Sequence, residues 1–178
     1  GAKPYWSDEH QAFLAPDVGQ GLRIAGSAAG HASLSAVLRD GADKAHEAIG
    51  DLGRLVGTVD VPQVEGEFDA SFAPLWYVPG AKSKAFVDFQ NDVHVKDLTL
   101  AQREAMGHVE HTKRYTTGGM ATDQGKLGNV ATIGIMAGMR GVSPAEIGTT
   151  TFRPFYTPVT FGALAGSHTG KHFQPVRK

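Results

Sequence analysis

The sequence predicts a mixed α+β fold that is mostly helical in its second half, and three observations carry that prediction. Apolar residues Leu34, Val37, Leu38, Ala42, Ala45, Ala48, Ile49 and Leu52 recur at three- and four-residue steps, the period of a one-faced helix. Short apolar runs at Leu22–Ala25 and Ala85–Phe89 have the length of strands. Helix start and stop signals then crowd the later residues. Ser143-Pro144-Ala145-Glu146 reads as a cap, a first-turn proline and a capping-box glutamate, and Gly118-Gly119 supplies a left-handed helix end.

Taken in order, residues 1–20 carry Pro4 and Pro16 beside Tyr5 and Trp6 and read as irregular, with one short helical turn over Ser7–Phe13. Residues 22–52 read as strand, Gly-rich turn and helix, with Arg39, Asp43, Lys44 and Glu47 on the helix's polar face. Residues 57–84 contain Pro62, Pro74 and Pro79, which break any helix, so this stretch is a connector. Its Val59, Val61, Phe72, Leu75, Trp76, Tyr77 and Val78 form short strands or anchor an extended segment on another surface. A second unit begins at Ala85, with a strand to Phe89 and helices over Val95–Met106, His108–Thr116 and Gly125–Met139. Leu98 and Ala101 face inward on the first of these helices. Thr149–Phe152 is β-like, and Pro154, Pro158 and Pro175 hold the tail extended. The resulting division is 1–56, 57–84, 85–142 and 143–178.

Composition removes several functions. A formal net charge of -1 argues against a dedicated nucleic-acid binder. No apolar run is long enough to span a bilayer and no signal peptide is expected, so the cytoplasm is the expected compartment. With no cysteine, the chain has no disulfide, thiolate zinc site, cysteine-ligated iron–sulfur cluster or cysteine nucleophile. Aromatic residues in 5–13 and 68–77 are expected to bury against further domains or partners.

Two segments carry candidate binding chemistry. Gly26-Ser27-Ala28-Ala29-Gly30 lies between the expected strand and helix, where glycines admit a ligand and helix amides face a phosphate or ribose oxygen. From spacing alone, a tight turn without a ligand is the simpler reading. Lys113-Arg114-Tyr115-Thr116-Thr117, with Lys126, gathers cations and hydroxyls suited to a phosphate. A solvated basic helix end explains the same residues. His108 with His111, and His168 with His172, have metal-like spacings but no third ligand, so no metal is expected. No nucleophile elbow occurs, and catalytic residues are expected to be none.

Three runs are distinctive. They are Phe86-Val87-Asp88-Phe89-Gln90-Asn91-Asp92-Val93, the stretch from Val109 through Thr117 to Lys126, and Gly148-Thr149-Thr150-Thr151-Phe152-Arg153-Pro154. Together they resemble the middle of the large (alpha) subunit of the heterotetrameric sarcosine oxidase family, over the whole chain. The resemblance implies that residues 1–56 are the C-terminal strand–helix end of an NAD-binding, dinucleotide-binding domain. It also implies that residues 143–178 lead toward a folate-binding, aminomethyltransferase-like domain. The implied reaction oxidises sarcosine, or a related N-methyl amine, at a flavin (FAD) in a beta subunit. Electrons pass to FMN held between alpha and beta and then to oxygen, and tetrahydrofolate captures the methyl carbon. NAD is implied in a non-reactive role. Its contacts would fall on Ser27, Ala32 and Leu34, beside Gly26 and Gly30. A beta-like flavin subunit and small gamma- and delta-like subunits are the implied partners.

Residues 85–140 also resemble a small helical [2Fe–2S] domain of the bacterioferritin-associated ferredoxin type. The positions matching its cysteine ligands are Asp88, Gln90, Asp123 and Gly128, none a thiolate. A [2Fe–2S] cluster needs soft anionic sulfur, so the expectation is a retained scaffold without its cluster. Its loop is then free to lie against FMN or the beta subunit through Lys113, Thr116, Thr117 and Lys126. The alternatives are a non-catalytic scaffold module and a subunit of an N-methylglutamate dehydrogenase-like paralogue.

Overall fold

The structure is a computed structural model that describes residues 2–19, 21–55, 57–67, 72–153, 157–167, 170–171 and 173. The chain divides into two compact units, Gly1–Leu75 and Trp76–Lys178.

The first unit opens on an antiparallel hairpin, β1 (Tyr5–Ser7) and β2 (Ala12–Leu14), in place of the helical turn expected over Ser7–Phe13. The register sets Trp6 opposite Phe13, and their rings meet edge to face at 5.1 Å. The turn is tied by Ser7 Oγ and His10 Nδ1 at 2.9 Å, with Gln11 in the left-handed region. A 3₁₀ turn, Gly26–Ala29, and helix α1 (Leu34–Asp51) follow. The helix matches its apolar period, and Ser33 caps it by accepting from the Ala36 amide. Leu22–Ala25 is not a strand. Its run is apolar enough for one, but a strand needs a paired neighbour, and Arg23 instead forms ion pairs with Glu47 and Asp51 of α1.

In the second unit, β3 (Phe86–Asp88) and β4 (Val93–His94) pair antiparallel across a bulge and lead into α2 (Val95–Arg103). Then come α3 (Val109–Thr116), α4 (Asn129–Arg140), α5 (Pro144–Ile147) and α6 (Phe161–Ala165). Val87, Val93, Leu98 and Ile135 form the core, with Trp76, Tyr77 and Val95 packed on it. Ala101, Thr112 and Met136 are fully buried. Thr112 is buried because its hydroxyl donates to the Met106 carbonyl and accepts from Gln102, closing the α2–α3 joint. The Ser143 capping box forms as expected, with Ser143 N donating to Glu146.

Three details depart from the sequence expectation. The left-handed residue ending α3 is Thr117, at φ +62°, and not Gly118 or Gly119. Thr149–Phe152 is not a strand; side chains hold it, as described below. The tail contains α6, capped by Thr160 accepting from the Ala163 amide, where an extended chain was expected. Pro154 and Pro175 lie outside the described residues.

Helix α4 carries glycines of opposite meaning. A Cβ on Gly134 would stand 2.4 Å from Trp76 Cε2, whereas Gly138 faces open space. Gly138→Ala is expected to stabilise the unit by about 0.5–1 kcal/mol through helix propensity. Gly134→Ala is expected to destabilise it by about 1–3 kcal/mol, because Trp76 must leave its seat. Urea unfolding of both variants followed by circular dichroism measures the signs; the same sign for both would refute the argument.

Candidate functional site

Two neighbouring features of the Trp76–Lys178 unit hold its chemistry. The first is a small cavity of about 40 Å³ lined by Asp88, Gln90, Asp123, Gly128 and Asn129 among others. All four positions that the sequence resemblance sets against cluster cysteines therefore line one cavity. Asp88, Gln90 and Asp123 are committed to hydrogen bonds through hard oxygen atoms. Asp88, only 9% exposed, accepts three backbone N–H groups: Gln90 (2.8 Å) and Asn91 (3.0 Å) on Oδ1, and Gly119 (2.7 Å) on Oδ2. Gln90 Oε1 accepts from Thr122 Oγ1, and Asp123 Oδ1 accepts from the Gly125 amide. A Cβ on Gly128 would fall 2.0 Å from the Val87 carbonyl oxygen. A cavity of this size admits about two or three waters. The residues do not fit an iron–sulfur cluster: soft donors are absent from the lining, and one ligand position has no room for a side chain.

The second feature is an open cavity of about 280 Å³ lined by Glu110, Lys113 and Arg114 of α3, Met120 and Gln124 of the following loop, and Thr151 and Arg153 of the segment after α5. Three cations and one carboxylate thus line the same cavity. Lys113 is 9% exposed; its Nζ donates to the Thr151 carbonyl and lies 3.6 Å from Glu110 Oε1. Arg114, more than half exposed, donates to Glu110 Oε2 at 2.7 Å. Burial of Glu110 disfavours its charged form. The Thr151 N–H, the Arg114 guanidinium and the Lys113 ammonium outweigh that and hold its pKa below the usual carboxylate value.

The expected site residues separate on the structure. Lys113 lines the basic cavity. Thr116 turns its hydroxyl back to the Thr112 carbonyl at 2.8 Å. Thr117 is exposed, and its carbonyl accepts from Asn91 Nδ2. Lys126 is exposed in the loop before α4 and is not among the residues lining that cavity. Arg114 lay in the basic run read from sequence, whereas Glu110, Gln124 and Arg153 were not singled out. Their partners lie 29 to 41 residues away for the pairs Arg153–Gln124 and Thr151–Glu110, which no local spacing reveals.

In the Gly1–Leu75 unit, the Gly26 amide donates to Asp40 Oδ2 at 2.7 Å. The α1 N-terminus is closed by Ser33. Gly30 is left-handed, and a Cβ there would meet Leu14 Cδ1 at 3.1 Å and His10 Cε1 at 3.3 Å. Packing explains this glycine. The amides of Gly26 and Ala36 thus already have side-chain acceptors, Asp40 and Ser33. Exposed Ser27 and Leu34 and half-buried Ala32 leave a hydroxyl and an apolar surface for weaker contacts. His108 and His111 have ring centroids 5.5 Å apart, and His108 Nδ1 accepts from the Glu110 amide as a helix cap. Among the described residues no group of three potential ligands surrounds a metal position; His168 and His172 lie outside them. No helix among the described residues is long and apolar enough to cross a membrane.

Comparison with known proteins places this architecture. The family described as the Sarcosine oxidase A3 domain matches residues 82–168, which hold both cavities of the second unit. The chain belongs to the family of sarcosine oxidase alpha subunits. It is 62% identical over 179 residues to the sarcosine oxidase subunit alpha of Rhizobium meliloti (strain 1021), covering 100% of this chain and 18% of that protein. Identity is 37% over 180 residues to the corresponding subunit of Corynebacterium sp. (strain U-96), covering 97% of this chain and 18% of that relative. With Corynebacterium sp. (strain P-1) it is 37% over 183 residues, covering 98% and 19%. The chain thus spans 18–19% of the length of these relatives.

Proposed function

We propose that this chain is the cofactor-contacting, redox-inert part of a heteromeric sarcosine oxidase, and that its basic cavity takes the phosphate of FMN. The observation that carries the reading is the convergence of Lys113, Arg114 and Arg153 on one open cavity within the region that matches the A3 domain. Guanidiniums, two of which line this cavity, are the groups that bind phosphate in a directed way. Gln124 adds an amide, and Met120 a soft apolar wall. When bound, FMN supplies the one-electron chemistry that relays electrons toward oxygen. The chain's own residues bind and orient it, with Arg114 and Arg153 neutralising the phosphate and Lys113 locking the wall.

The wider reading places oxidation of sarcosine, or another N-methyl amine, at an FAD in a beta-like subunit, with tetrahydrofolate accepting the methyl carbon elsewhere. Gamma- and delta-like subunits complete the assembly, in the cytoplasm. NAD, in a non-reactive role, would rest on Ser27, Ala32 and Leu34 by hydroxyl and packing contacts, beside Gly26 and Gly30. Thr116, Thr117 and Lys126 would then face the partner subunit around the FMN.

The test is the flavin content of the assembled enzyme. Arg114→Ala combined with Arg153→Ala is expected to weaken FMN binding by about 100-fold, at roughly tenfold per charged hydrogen bond. Binding of riboflavin, which lacks the phosphate, should change little. Unaltered FMN content in a correctly assembled double variant sinks the reading.

A further inference from the structure

Glu110 is the odd member of the basic cavity. A carboxylate beside a site for anions repels what the site takes, yet this one has partners on both of its oxygens. Its Oε2 accepts from Arg114 at 2.7 Å, and its Oε1 accepts from the Thr151 amide at 2.6 Å while facing Lys113 Nζ at 3.6 Å. Its main-chain carbonyl also accepts from the Arg114 guanidinium, so carboxylate and carbonyl grip the same nitrogen.

The segment it holds has unusual support. Thr151 gives its N–H to Glu110 and its carbonyl to Lys113, so two α3 side chains stand where a neighbouring strand would be. On either side, Asn129 Nδ2 donates to Thr150 Oγ1 at 2.7 Å and the Arg153 amide donates to Gln124 Oε1 at 3.0 Å. Side chains alone fix three of these four successive residues, and the last is the arginine at the cavity wall. An ionised Glu110, favoured by the groups around it, is therefore placed to set both Arg114 and Arg153.

We propose that Glu110 is the positioning residue of the basic cavity: its carboxylate clamps Arg114 and seats the 149–153 segment, so that both guanidiniums face one anion. This rests on the cavity being an anion site, as proposed above. Two views of the carboxylate predict opposite signs. If Glu110 is only a local negative charge, removing it relieves repulsion and anion binding tightens. If it positions the cations, removing it weakens binding, because two long side chains must then be ordered at the anion's cost.

The experiment titrates the whole chain with inorganic phosphate and follows the Thr151 and Arg153 amide resonances by NMR. Glu110→Gln is expected to weaken phosphate binding about tenfold, the scale of one charge-assisted hydrogen bond. Glu110→Asp retains the charge but withdraws it by one methylene, and should also weaken binding. Should Glu110→Gln compromise folding, the Asp variant decides alone, since a charge-only role leaves its affinity unchanged. Glu104→Gln, at the exposed end of α2, is the control and should bind as the parent chain does. Tighter or equal binding by the Gln variant, or parent-like affinity in the Asp variant, overturns the positioning role while leaving the anion cavity intact. If the parent chain shows no saturable phosphate response, and Arg114→Ala leaves FMN content in the assembled enzyme unchanged, the cavity reading fails and this role fails with it.

Discussion

Replacing Asp88 by Ala is expected to lower the stability of the Trp76–Lys178 unit by about 3–4 kcal/mol. The side chain is nine-tenths buried and receives three amides: two from the turn between β3 and β4, and one from Gly119 on the far side of the cavity. Deleting the carboxylate orphans all three. The Gly119 bond matters most, because it is buried and ties the loop after α3 to β3, 31 residues earlier. Asp88→Asn keeps an oxygen for the turn amides but sets its NH₂ against the Gly119 N–H, and should cost roughly half as much. Equilibrium urea unfolding of the chain, followed by helical circular dichroism, measures both. A loss below about 1 kcal/mol for the Ala variant would show that water replaces the carboxylate without penalty, contrary to the argument.

The same carboxylate shows what was readable from sequence and what was not. Helix α1 announces itself through its apolar period and α5 through its capping box, because both signals are local. Ser33, Ser143 and Glu146 act at the positions their types favour. The β1–β2 hairpin was hidden because three-residue strands are too short to show alternation, and a cross-strand Trp6–Phe13 pair needs both partners placed. Leu22–Ala25 failed in the opposite sense: its composition suits a strand, but Arg23 is drawn to the acids of α1. Thr117 takes the left-handed position although two glycines follow it directly, since α3 ends one residue before the glycines begin. The small α6 had a signal in Thr160, whose hydroxyl caps it, masked by Pro158 two residues earlier.

The residues of the basic cavity were legible to the same extent. The basic run at Lys113-Arg114 is local and was visible. Its closure by Arg153 and Gln124, and its arrangement by Glu110, arise only when the segment after α5 folds back on α3. Lys113 itself illustrates the limit. A lysine in a basic run reads as a solvent-facing cation, but here it is buried, and its ammonium is committed to a main-chain carbonyl. The cation visible in the sequence serves the wall, and the exposed guanidinium next to it faces the cavity.

An effect of the same size as that at Asp88 is expected at Gly128. Its added Cβ would sit 2.0 Å from the Val87 carbonyl oxygen, a main-chain atom of β3 that no side-chain rotation can move. Val87 is in the core, so displacing it disturbs Val93, Leu98 and Ile135 together. Gly128→Ala is expected to cost about 3 kcal/mol or more, the upper end of overpacking penalties, and Gly128→Cys at least as much. This bears directly on the scaffold's redox capacity. A chain carrying Cys at 88, 90 and 123 but Gly at 128 supplies three thiolates, one fewer than a four-cysteine cluster requires. Adding the fourth cysteine forces β3 off the cavity floor. Anaerobic reconstitution of the four-cysteine variant with iron and sulfide is therefore expected to yield no stable [2Fe–2S] absorption, and its thermal unfolding should begin well below that of the parent chain. A folded, cluster-loaded product would mean that β3 retreats cheaply and that only the missing thiols keep iron out. Both variants lack the Asp88 carboxylate, so thermal unfolding of the four-cysteine variant well below that of the three-cysteine one would locate the barrier at the carbonyl of Val87, in the backbone itself.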